Sequence, residues 1–257
     1  MTQNERCAWL IKYLLTENPE AAKYPVPEDF ESRFKLYRSL VNIRMPADIS
    51  EEYLKIEDEF LYFVNANSTN IEDLSPVRDD IYVWQGDITK LRVDAIVNAA
   101  NSQMLGCFVP CHSCIDNCIH TFAGIRLRQA CAKLMREQGH EEATGRAKIT
   151  KAYNLPGKYV IHTVGPICSG SVSEEDKSLL YSCYEECLKL ADAYKLESIA
   201  FCCISTGVFG FPNKPAAEIA IKAVQEYKQK TGSKIKVIFN VFKDLDKEIY
   251  GSLLAEN

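Results

Sequence analysis

The stretch Asp-Ala-Ile-Val-Asn-Ala-Ala-Asn, residues 94–101, decides the fold of this 257-residue chain. Residues 94–99 predict a continuous apolar strand, and a strand without apolar–polar alternation is typical of a sheet that is covered on both faces. The strand runs into Asn98-Ala-Ala-Asn101, where small side chains and amides take over. Because ligands of such sheets bind beyond the carboxyl ends of the strands, this turn is a candidate ligand loop.

Outward from this strand, short apolar strands alternate with longer helical stretches from Asp80 onward. Further strands are predicted at residues 81–85, 147–152, 158–164, 198–204 and 235–242. Helices are predicted at residues 115–138, 174–194, 214–230 and 245–254. This alternation predicts a three-layer α/β/α domain, in which helices cover both faces of one sheet.

Residues 1–75 predict a helical extension instead. Apolar residues follow helical spacing in three groups, at 9–14, 30–40 and 53–63. We expect the aromatic stripe of these helices to pack on the main domain, and no residue among them suggests chemistry. The chain is therefore divided into an extension, residues 1–75, and an α/β domain, residues 76–257.

Charge and hydropathy restrict the classes of function. A formal net charge of −5 argues against non-specific nucleic-acid binding. The first residues carry Glu5, Arg6 and Lys12 among apolar residues, so they do not predict a signal peptide. No stretch approaches the ~20 apolar residues that a membrane-spanning helix needs. We therefore predict a cytoplasmic protein that has neither nucleic acid nor membrane as a partner.

The chain contains eleven cysteines. In a reducing cytosol we expect them to serve as metal ligands or as small buried apolar residues. Cys183 and Cys187 are spaced i, i+4 on a predicted helix, and Cys202 and Cys203 lie in a predicted buried strand. These four are predicted to be packing residues.

Three other cysteines and a histidine fall within eight residues, in Cys107-Phe-Val-Pro-Cys111-His112-Ser-Cys114. Thiolate sulfur and imidazole nitrogen are the ligands that Zn²⁺ prefers. A catalytic zinc keeps three protein ligands and one open position, whereas a structural zinc has four protein ligands. The residues alone leave three alternatives open: a catalytic metal, a structural metal, or cysteines that happen to lie close.

Three loops at the predicted sheet edge carry ligand-binding chemistry. Gly86-Asp87-Ile88-Thr89 offers a carboxylate to an exocyclic amine such as that of adenine, although Asp87 could simply cap the turn. Asn98-Ala-Ala-Asn101 offers an amide to a ribose diol beside alanines that allow close approach. In residues 205–212, Ser-Thr-Gly-Val-Phe-Gly-Phe-Pro, the glycines allow backbone N–H groups to converge on an anion.

These motifs resemble those of macrodomains, which bind ADP-ribose. The resemblance rests on residues 86–89, 94–101 and 204–212, with support from residues 143–150 and 160–166, and it covers about residues 80–245. Ordinary macrodomains follow the second motif with a glycine-rich loop, whereas this chain has the cysteine-rich residues 104–117. In this feature the chain resembles the zinc-dependent macrodomain branch, whose members also carry an N-terminal helical extension.

The resemblance implies a macrodomain fold with a mixed central sheet and a hydrolase that removes mono-ADP-ribose from acidic side chains of modified proteins. Its ligand pattern, Cys-x4-His-x-Cys, maps one Zn²⁺ per chain onto Cys107, His112 and Cys114. Cys111 lies inside the pattern without being part of it. It could complete a closed structural site, but adjacent Cys111 and His112 would have difficulty turning both side chains toward one tetrahedral ion.

The resemblance also implies the ADP-ribose contacts. Asp87 and Ile88 would hold the adenine, Asn101 would meet the distal ribose, and residues 205–209 would wrap the diphosphate and its ribose. The implied contacts of this last loop are Ser205, Thr206, Gly207, Val208 and Phe209.

Asp116 and Asn117 follow the last implied metal ligand and are predicted to border the open metal position. Together with Ile115 they are also predicted to contact ADP-ribose. Asp116 is a candidate general base or water-orienting group, and Asn117 a candidate ribose ligand. The alternative for Asp116 is a helix N-cap for residues 117–138.

The remaining histidines are predicted to have other roles. His120 is predicted to pack in the core, with a contact to Asp116 one helical turn away as the alternative. His162, inside an apolar strand, is predicted to be a hydrogen-bonded core residue. His140 is predicted to lie in an exposed turn.

Two other functions compete with the hydrolase hypothesis. One is a reader module that binds ADP-ribosylated protein without turnover and uses zinc as a structural element. The other is an enzyme that acts on a free ADP-ribose derivative. Fold analogy cannot separate these functions, because function resides in the site. The predicted partners are ADP-ribose and mono-ADP-ribosylated protein, and the predicted state is a monomer.

Overall fold

A six-stranded sheet forms the centre of the α/β part in the computed structural model, which describes residues 1–23 and 25–256. The strands are β1 Thr69–Asn70, β2 Ile81–Gln85, β3 Leu91–Arg92, β4 Ala95–Ala100, β5 Ala147–Lys151, β6 Tyr159–Val164, β7 Ser198–Phe201 and β8 Lys236–Val241. The central sheet has the order β2-β8-β7-β4-β6-β5, and β1 and β3 form a separate parallel pair. Only β5 runs antiparallel within the central sheet. The predicted mixed sheet is confirmed.

Eight helices accompany the strands among the described residues. They are α1 Gln3–Glu17, α2 Phe30–Ile43, α3 Glu51–Val64, α4 Ile115–Ala123, α5 Ile125–Gln138, α6 Glu174–Ala193, α7 Asn213–Thr231 and α8 Asp244–Glu256. Helices α4 and α5 contact β4 and β5, while α6, α7 and α8 pack in series, with α6 and α8 in contact with the sheet. The predicted three-layer α/β/α arrangement is confirmed. None of the described helices has the length and apolar character needed to cross a bilayer.

Strand β4 is central because its residues are apolar or small. Ala95, Ile96, Val97 and Ala100 are buried, and β4 pairs in parallel with β6 on one side and β7 on the other. Both faces of the strand are therefore covered, as the apolar run predicts.

Two predicted boundaries are wrong. The helix predicted at residues 115–138 is divided into α4 and α5 by Gly124, whose φ of 87° is incompatible with a helix. The strand predicted at residues 198–204 ends at Phe201, and the chain then enters a loop. In both places an apolar pattern continues past the point where the backbone turns.

The three predicted helices of the extension are present as α1, α2 and α3, and they share a core of their own. The ring of Tyr37 contacts the edge of Phe60 with centroids 5.3 Å apart, and both side chains are fully buried. Ile125 at the start of α5 belongs to this second core. The extension is therefore joined to the α/β domain by apolar packing at the α4–α5 break.

Glu57 of α3 is buried at the same junction. Its Oε1 accepts hydrogen bonds from the hydroxyls of Tyr37 at 2.7 Å and Tyr53 at 3.3 Å, and its Oε2 accepts from the backbone N–H of Ile125 at 3.1 Å. The carboxylate thus caps the first turn of α5 from the extension. Burial raises the pKa of Glu57 to about 7, although these hydrogen bonds act in the opposite direction.

We expect Glu57→Gln to reduce the pH dependence of stability. A folded-state pKa of about 7, above the ordinary 4.5, means that the Glu57 contribution is fully present below pH 4.5 and is lost as the pH rises through 7. From pH 5.5 to pH 8 this loss amounts to about 2 kcal/mol in the parent and is absent in the glutamine variant. Urea denaturation at the two pH values measures this difference. An equal pH dependence in both proteins would contradict the prediction.

Candidate functional site

The three predicted ligand loops leave the same edge of the central sheet. Because β2, β8, β7, β4 and β6 are parallel, their carboxyl ends lie on the same side. Strand β2 leads to Asp87, and β4 leads to Asn101. We call residues 101–114, between β4 and α4, the cysteine loop, and residues 202–212, between β7 and α7, the glycine loop.

The glycine loop presents unused hydrogen-bond donors. Among the described residues, none accepts a hydrogen bond from the backbone N–H of Gly207, Val208 or Phe209. Ser205 adopts a left-handed φ of 64°, and its buried Oγ has no hydrogen-bond partner within the described chain. Consecutive free N–H groups next to a hydroxyl without a partner are available to an anion.

The remaining contacts of the glycine loop hold its shape. Thr206 Oγ1 donates to the backbone oxygen of Cys203 at 3.0 Å, and the oxygen of Phe209 accepts from the N–H of Cys168 at 2.7 Å. The Val208 side chain is 82% exposed. The hydroxyl of Thr206 therefore stabilises the turn, while Val208 is exposed to solvent.

Asp87 caps the turn after β2 and keeps one oxygen free. Its Oδ1 accepts from the backbone N–H of Thr89 at 2.9 Å and from Thr89 Oγ1 at 2.7 Å. Asp87 is exposed, and no described residue donates a hydrogen bond to its Oδ2. The capping role and the predicted adenine contact are thus compatible. Ile88 is different, because it is only 1% exposed and its side chain belongs to the main core.

Asn101 opens the cysteine loop with a half-satisfied amide. Its Nδ2 donates to the backbone oxygen of Gly106 at 3.1 Å, whereas its Oδ1 is buried and accepts no hydrogen bond from the described residues. A buried acceptor without a partner is rare in folded proteins and marks a place where a ligand can complete the hydrogen bonding.

The cysteine loop brings the three predicted metal ligands together. One ligand atom from each of Cys107, His112 and Cys114 lies within 4.8 Å of the other two. His112 Nδ1 is 3.7 Å from Cys107 Sγ. This spacing fits one small ion, since Zn²⁺ lies about 2.0–2.3 Å from such donors. Cys111 is outside the group, and its Sγ faces Ser39 Oγ at 3.2 Å.

Cys114 is also the N-cap of α4. Its Sγ accepts from the backbone N–H of Asn117 at 3.5 Å, so the alternative that Asp116 caps this helix is wrong. Burial, with Cys107 as a further cause, raises the pKa of Cys114 to about 12. A nearby cation would favour the thiolate form of Cys114, and a bound metal supplies such a cation.

Asn117 holds the cysteine loop from beneath. Asn117 is fully buried, and its Nδ2 donates to the backbone oxygens of Cys107 at 3.2 Å and Val109 at 2.9 Å. Its Oδ1 accepts from Arg38 at 2.9 Å. All of the amide is thus used within the protein, and contact between Asn117 and a ribose stays a prediction. Ile115 is half-buried and packs against the main core.

Asp116 lies under the loop with its carboxylate facing the interior. Asn98 Nδ2 donates to Asp116 Oδ1 at 2.8 Å, and His120 Nε2 lies 3.6 Å from the same oxygen. Burial raises the pKa of Asp116 to about 6. His120 is therefore buried, as predicted, and it also approaches Asp116, which was the alternative prediction. The catalytic role of Asp116 stays a prediction.

His162 is the hydrogen-bonded core residue that its strand predicts. Its Nε2 lies 2.9 Å from Thr150 Oγ1, and its Nδ1 lies 3.1 Å from Asn98 Nδ2. Burial lowers the pKa of His162 to about 3, so the ring is neutral. His120, Cys131 and His162 form a second group of potential ligand atoms, but this group is completely buried and His162 is already satisfied. His140 is exposed in a bend, as predicted.

The four cysteines that were predicted to pack do so. Cys183, Cys187 and Cys202 are buried, and half-buried Cys203 packs against the same core. All eleven cysteines are free thiols.

Three residues that hold the cysteine loop were not predicted from the sequence. Arg38 and Asn42 reach it from α2 of the extension. Arg128 of α5 donates to the backbone oxygen of Leu105 at 2.7 Å and lies 4.3 Å from the ring of Phe108. The spacing of Arg38 and Asn42 at i, i+4 places two polar side chains on one face of an amphipathic helix, which was the available signal.

This chain is similar to known proteins in both sequence and fold. The Macro domain family profile matches residues 97–220. The chain is 54% identical to a Treponema medium protein named "Protein-ADP-ribose hydrolase", over 99% of this chain and 100% of that protein. It is 50% identical to a Staphylococcus aureus (strain MSSA476) protein of the same name, over 95% of this chain and 93% of that protein.

A solved macrodomain structure has the same fold as this chain. The Trypanosoma brucei macrodomain in complex with ADP-ribose superposes with a TM-score of 0.67 at 30% identity, covering 84% of this chain and 94% of that one. With a shared fold and with relatives that match along almost the whole chain, this protein belongs to the macrodomain family.

Proposed function

We propose that this chain is a zinc-dependent hydrolase that removes mono-ADP-ribose from acidic side chains of modified proteins. The observation that carries the proposal is the position of Cys107, His112 and Cys114, whose loop starts at the unsatisfied amide of Asn101. Relatives at 54% and 50% identity are named protein-ADP-ribose hydrolases, which supports the hydrolytic activity.

Binding of ADP-ribose would use the unsatisfied groups at the sheet edge. The free N–H groups of Gly207, Val208 and Phe209 suit the diphosphate, and the open oxygen of Asp87 suits the amine of the adenine. Asn101 Oδ1 would then accept from a hydroxyl of the distal ribose. This order places the far end of the ligand beside the cysteine loop.

Zn²⁺ held by Cys107, His112 and Cys114 would supply Lewis-acid chemistry at a ribose hydroxyl, an ester carbonyl or a water molecule. The protein would supply the rest. Asp116, with Oδ1 fixed by Asn98, is the candidate to orient the attacking water or to take its proton. Asn117 and Arg128 would hold the loop carbonyls in place and thereby fix the distance between ligand and metal.

The rival reader module requires a closed, structural zinc. Cys111 is the residue that could close the site, but its Sγ contacts Ser39 Oγ and the backbone oxygen of Lys35 at 3.4 Å. A donor set of three with Cys111 turned away supports an open fourth position, as in catalytic zinc sites.

We expect metal removal to stop the reaction and zinc to restore it. The substrate is a protein that carries mono-ADP-ribose on an acidic side chain, and free ADP-ribose is quantified after incubation with enzyme, with a chelator, and with the chelator followed by excess zinc. Loss of metal should slow release by about 100-fold or more, because the Lewis acid accounts for several kcal/mol of the barrier.

The control measures ADP-ribose binding in the same three samples, where we expect less than a twofold change. Binding without release at every zinc concentration would refute the hydrolase and favour the reader module. Turnover of a free ADP-ribose derivative but not of the modified protein would favour the third alternative.

A further inference from the structure

We propose that the N-terminal extension is part of the reaction apparatus, and that Arg38 of α2 is a positioning residue for the cysteine loop. The inference rests on the proposed zinc-dependent function of that loop. It gives the extension a role that its sequence does not suggest, because the helices contribute no group that reacts.

Arg38 contacts the cysteine loop directly. Its Nη2 donates to the backbone oxygen of His112 at 2.7 Å and to Asn117 Oδ1 at 2.9 Å, and its Nε lies 3.3 Å from the same amide oxygen. Nη2 also lies 3.4 Å from Cys118 Sγ. One guanidinium therefore bridges a metal ligand to helix α4.

The contact with Asn117 extends the reach of Arg38. Asn117 uses its other amide atom to hold the backbone oxygens of Cys107 and Val109. With Oδ1 fixed by the guanidinium, the Asn117 side chain cannot flip without losing both carbonyl contacts. Arg38 therefore sets the backbone on both sides of the ligand group, directly at His112 and through Asn117 at Cys107.

A second side chain of the same helix face holds the strained part of the loop. Cys111 has a left-handed φ of 53°, which is unfavourable for a residue with a side chain. The backbone N–H of Cys111 donates to Asn42 Oδ1 at 2.9 Å, and Asn42 Nδ2 donates to Thr121 Oγ1 of α4 at 2.9 Å. Such strain persists only where the surroundings determine the conformation.

Helix α2 is itself held rigidly against the α/β domain. Arg128 Nη1 donates to the backbone oxygens of Val41 and Asn42, each at 2.9 Å, and to that of Arg44 at 2.6 Å. The ring of Phe34 stacks on that of Phe122 with centroids 6.1 Å apart. The cysteine loop lacks helix and strand, so its geometry depends on these side chains rather than on backbone pairing.

The test compares Arg38→Ala with Arg33→Ala in the full-length, zinc-loaded protein. Arg33 is on the same helix, and among the described residues its side chain donates only within the extension, to the backbone oxygens of Pro27 and Asn4. For Arg38→Ala we expect zinc transfer to a chromophoric chelator to become about 10-fold faster or more and kcat to fall by a similar factor, since partners that orient metal ligands have effects of this size. ADP-ribose affinity by calorimetry should change less than about twofold.

A conservative variant adds a second readout. Arg38→Lys can donate to the His112 carbonyl but cannot bridge it to Asn117 with a planar fork, so we expect partial recovery of zinc retention. The proposal would be overturned if Arg38→Ala and Arg33→Ala had the same zinc transfer rate and the same kcat, whether both variants matched the parent or both were impaired equally. If the parent protein releases no ADP-ribose but Arg38→Ala alone loses zinc faster, the proposed function fails while the positioning of the loop by Arg38 is upheld.

Discussion

Replacing Cys114 with serine is expected to slow ADP-ribose release by about 100-fold or more, as metal removal does, because loss of a proposed metal ligand removes Lewis-acid stabilisation of several kcal/mol. Serine is the informative substitution. Cys114 is also the N-cap of α4, and a serine hydroxyl can accept the hydrogen bond from the Asn117 N–H that the sulfur accepts now. The helix is therefore preserved while the metal ligand is weakened. Release is measured with the mono-ADP-ribosylated protein at saturating enzyme.

The matched control for Cys114→Ser is Asp87→Asn, which should show the opposite pattern. Asparagine can keep the capping bonds to Thr89 but has lost the charge that suits the adenine amine. We expect its ADP-ribose affinity to fall by about 10-fold, as for the loss of a charge-assisted hydrogen bond, with much of the rate at saturation retained. Cys114→Ser should keep its ADP-ribose affinity within about threefold. Release by Cys114→Ser at the parent rate would refute the metal role of Cys114.

The strands and the ligand loops could be predicted because local pattern determines them. Strand β4 is apolar from Ala95 to Val97, and a buried parallel strand requires such a run. The positions of Asp87, Asn101 and the glycine loop at a common edge then follow from parallel pairing alone. The separation of Cys111 from Cys107, His112 and Cys114 could be anticipated from the stereochemistry of adjacent residues, and the structure places Cys111 against α2.

The contacts that hold the cysteine loop could not be predicted, because they join distant parts of the chain through side chains. Arg38 reaches the His112 carbonyl across 74 residues, and Asn42 reaches the Cys111 N–H across 69 residues. In the sequence both are polar residues on an amphipathic helix, which are usually solvent-exposed. The break at Gly124 was not predicted for a related reason. A single glycine is tolerated within a helix. The buried Glu57 that accepts a hydrogen bond from the N–H of Ile125 belongs to another helix.

The second large effect is expected for Gly106→Ala, which should slow ADP-ribose release by about 10-fold or more and accelerate zinc loss. Gly106 precedes Cys107, the first proposed metal ligand, and has a φ of 81°, where an alanine costs about 1–2 kcal/mol. An added Cβ would also lie 2.8 Å from Cγ and Cδ2 of His120, whose ring is buried. Overpacking of this kind costs a further 1–3 kcal/mol or so, and moving the backbone relieves it. The neighbouring backbone is that of Cys107, so we expect the strain to reach the proposed metal ligands.

Gly139→Ala separates the steric clash from the backbone strain. Gly139 ends α5 with a φ of 78°, close to that of Gly106, but apart from its chain neighbours no described residue has an atom within 4 Å of an added Cβ. We therefore expect a comparable loss of about 1–2 kcal/mol in unfolding free energy without any effect on zinc retention or release. Equal release by the two alanine variants would show that the approach of Gly106 to His120 does not control the cysteine loop. A defect confined to Gly106→Ala would show that the close packing of the loop backbone on His120 determines where Cys107 stands relative to the other two ligands.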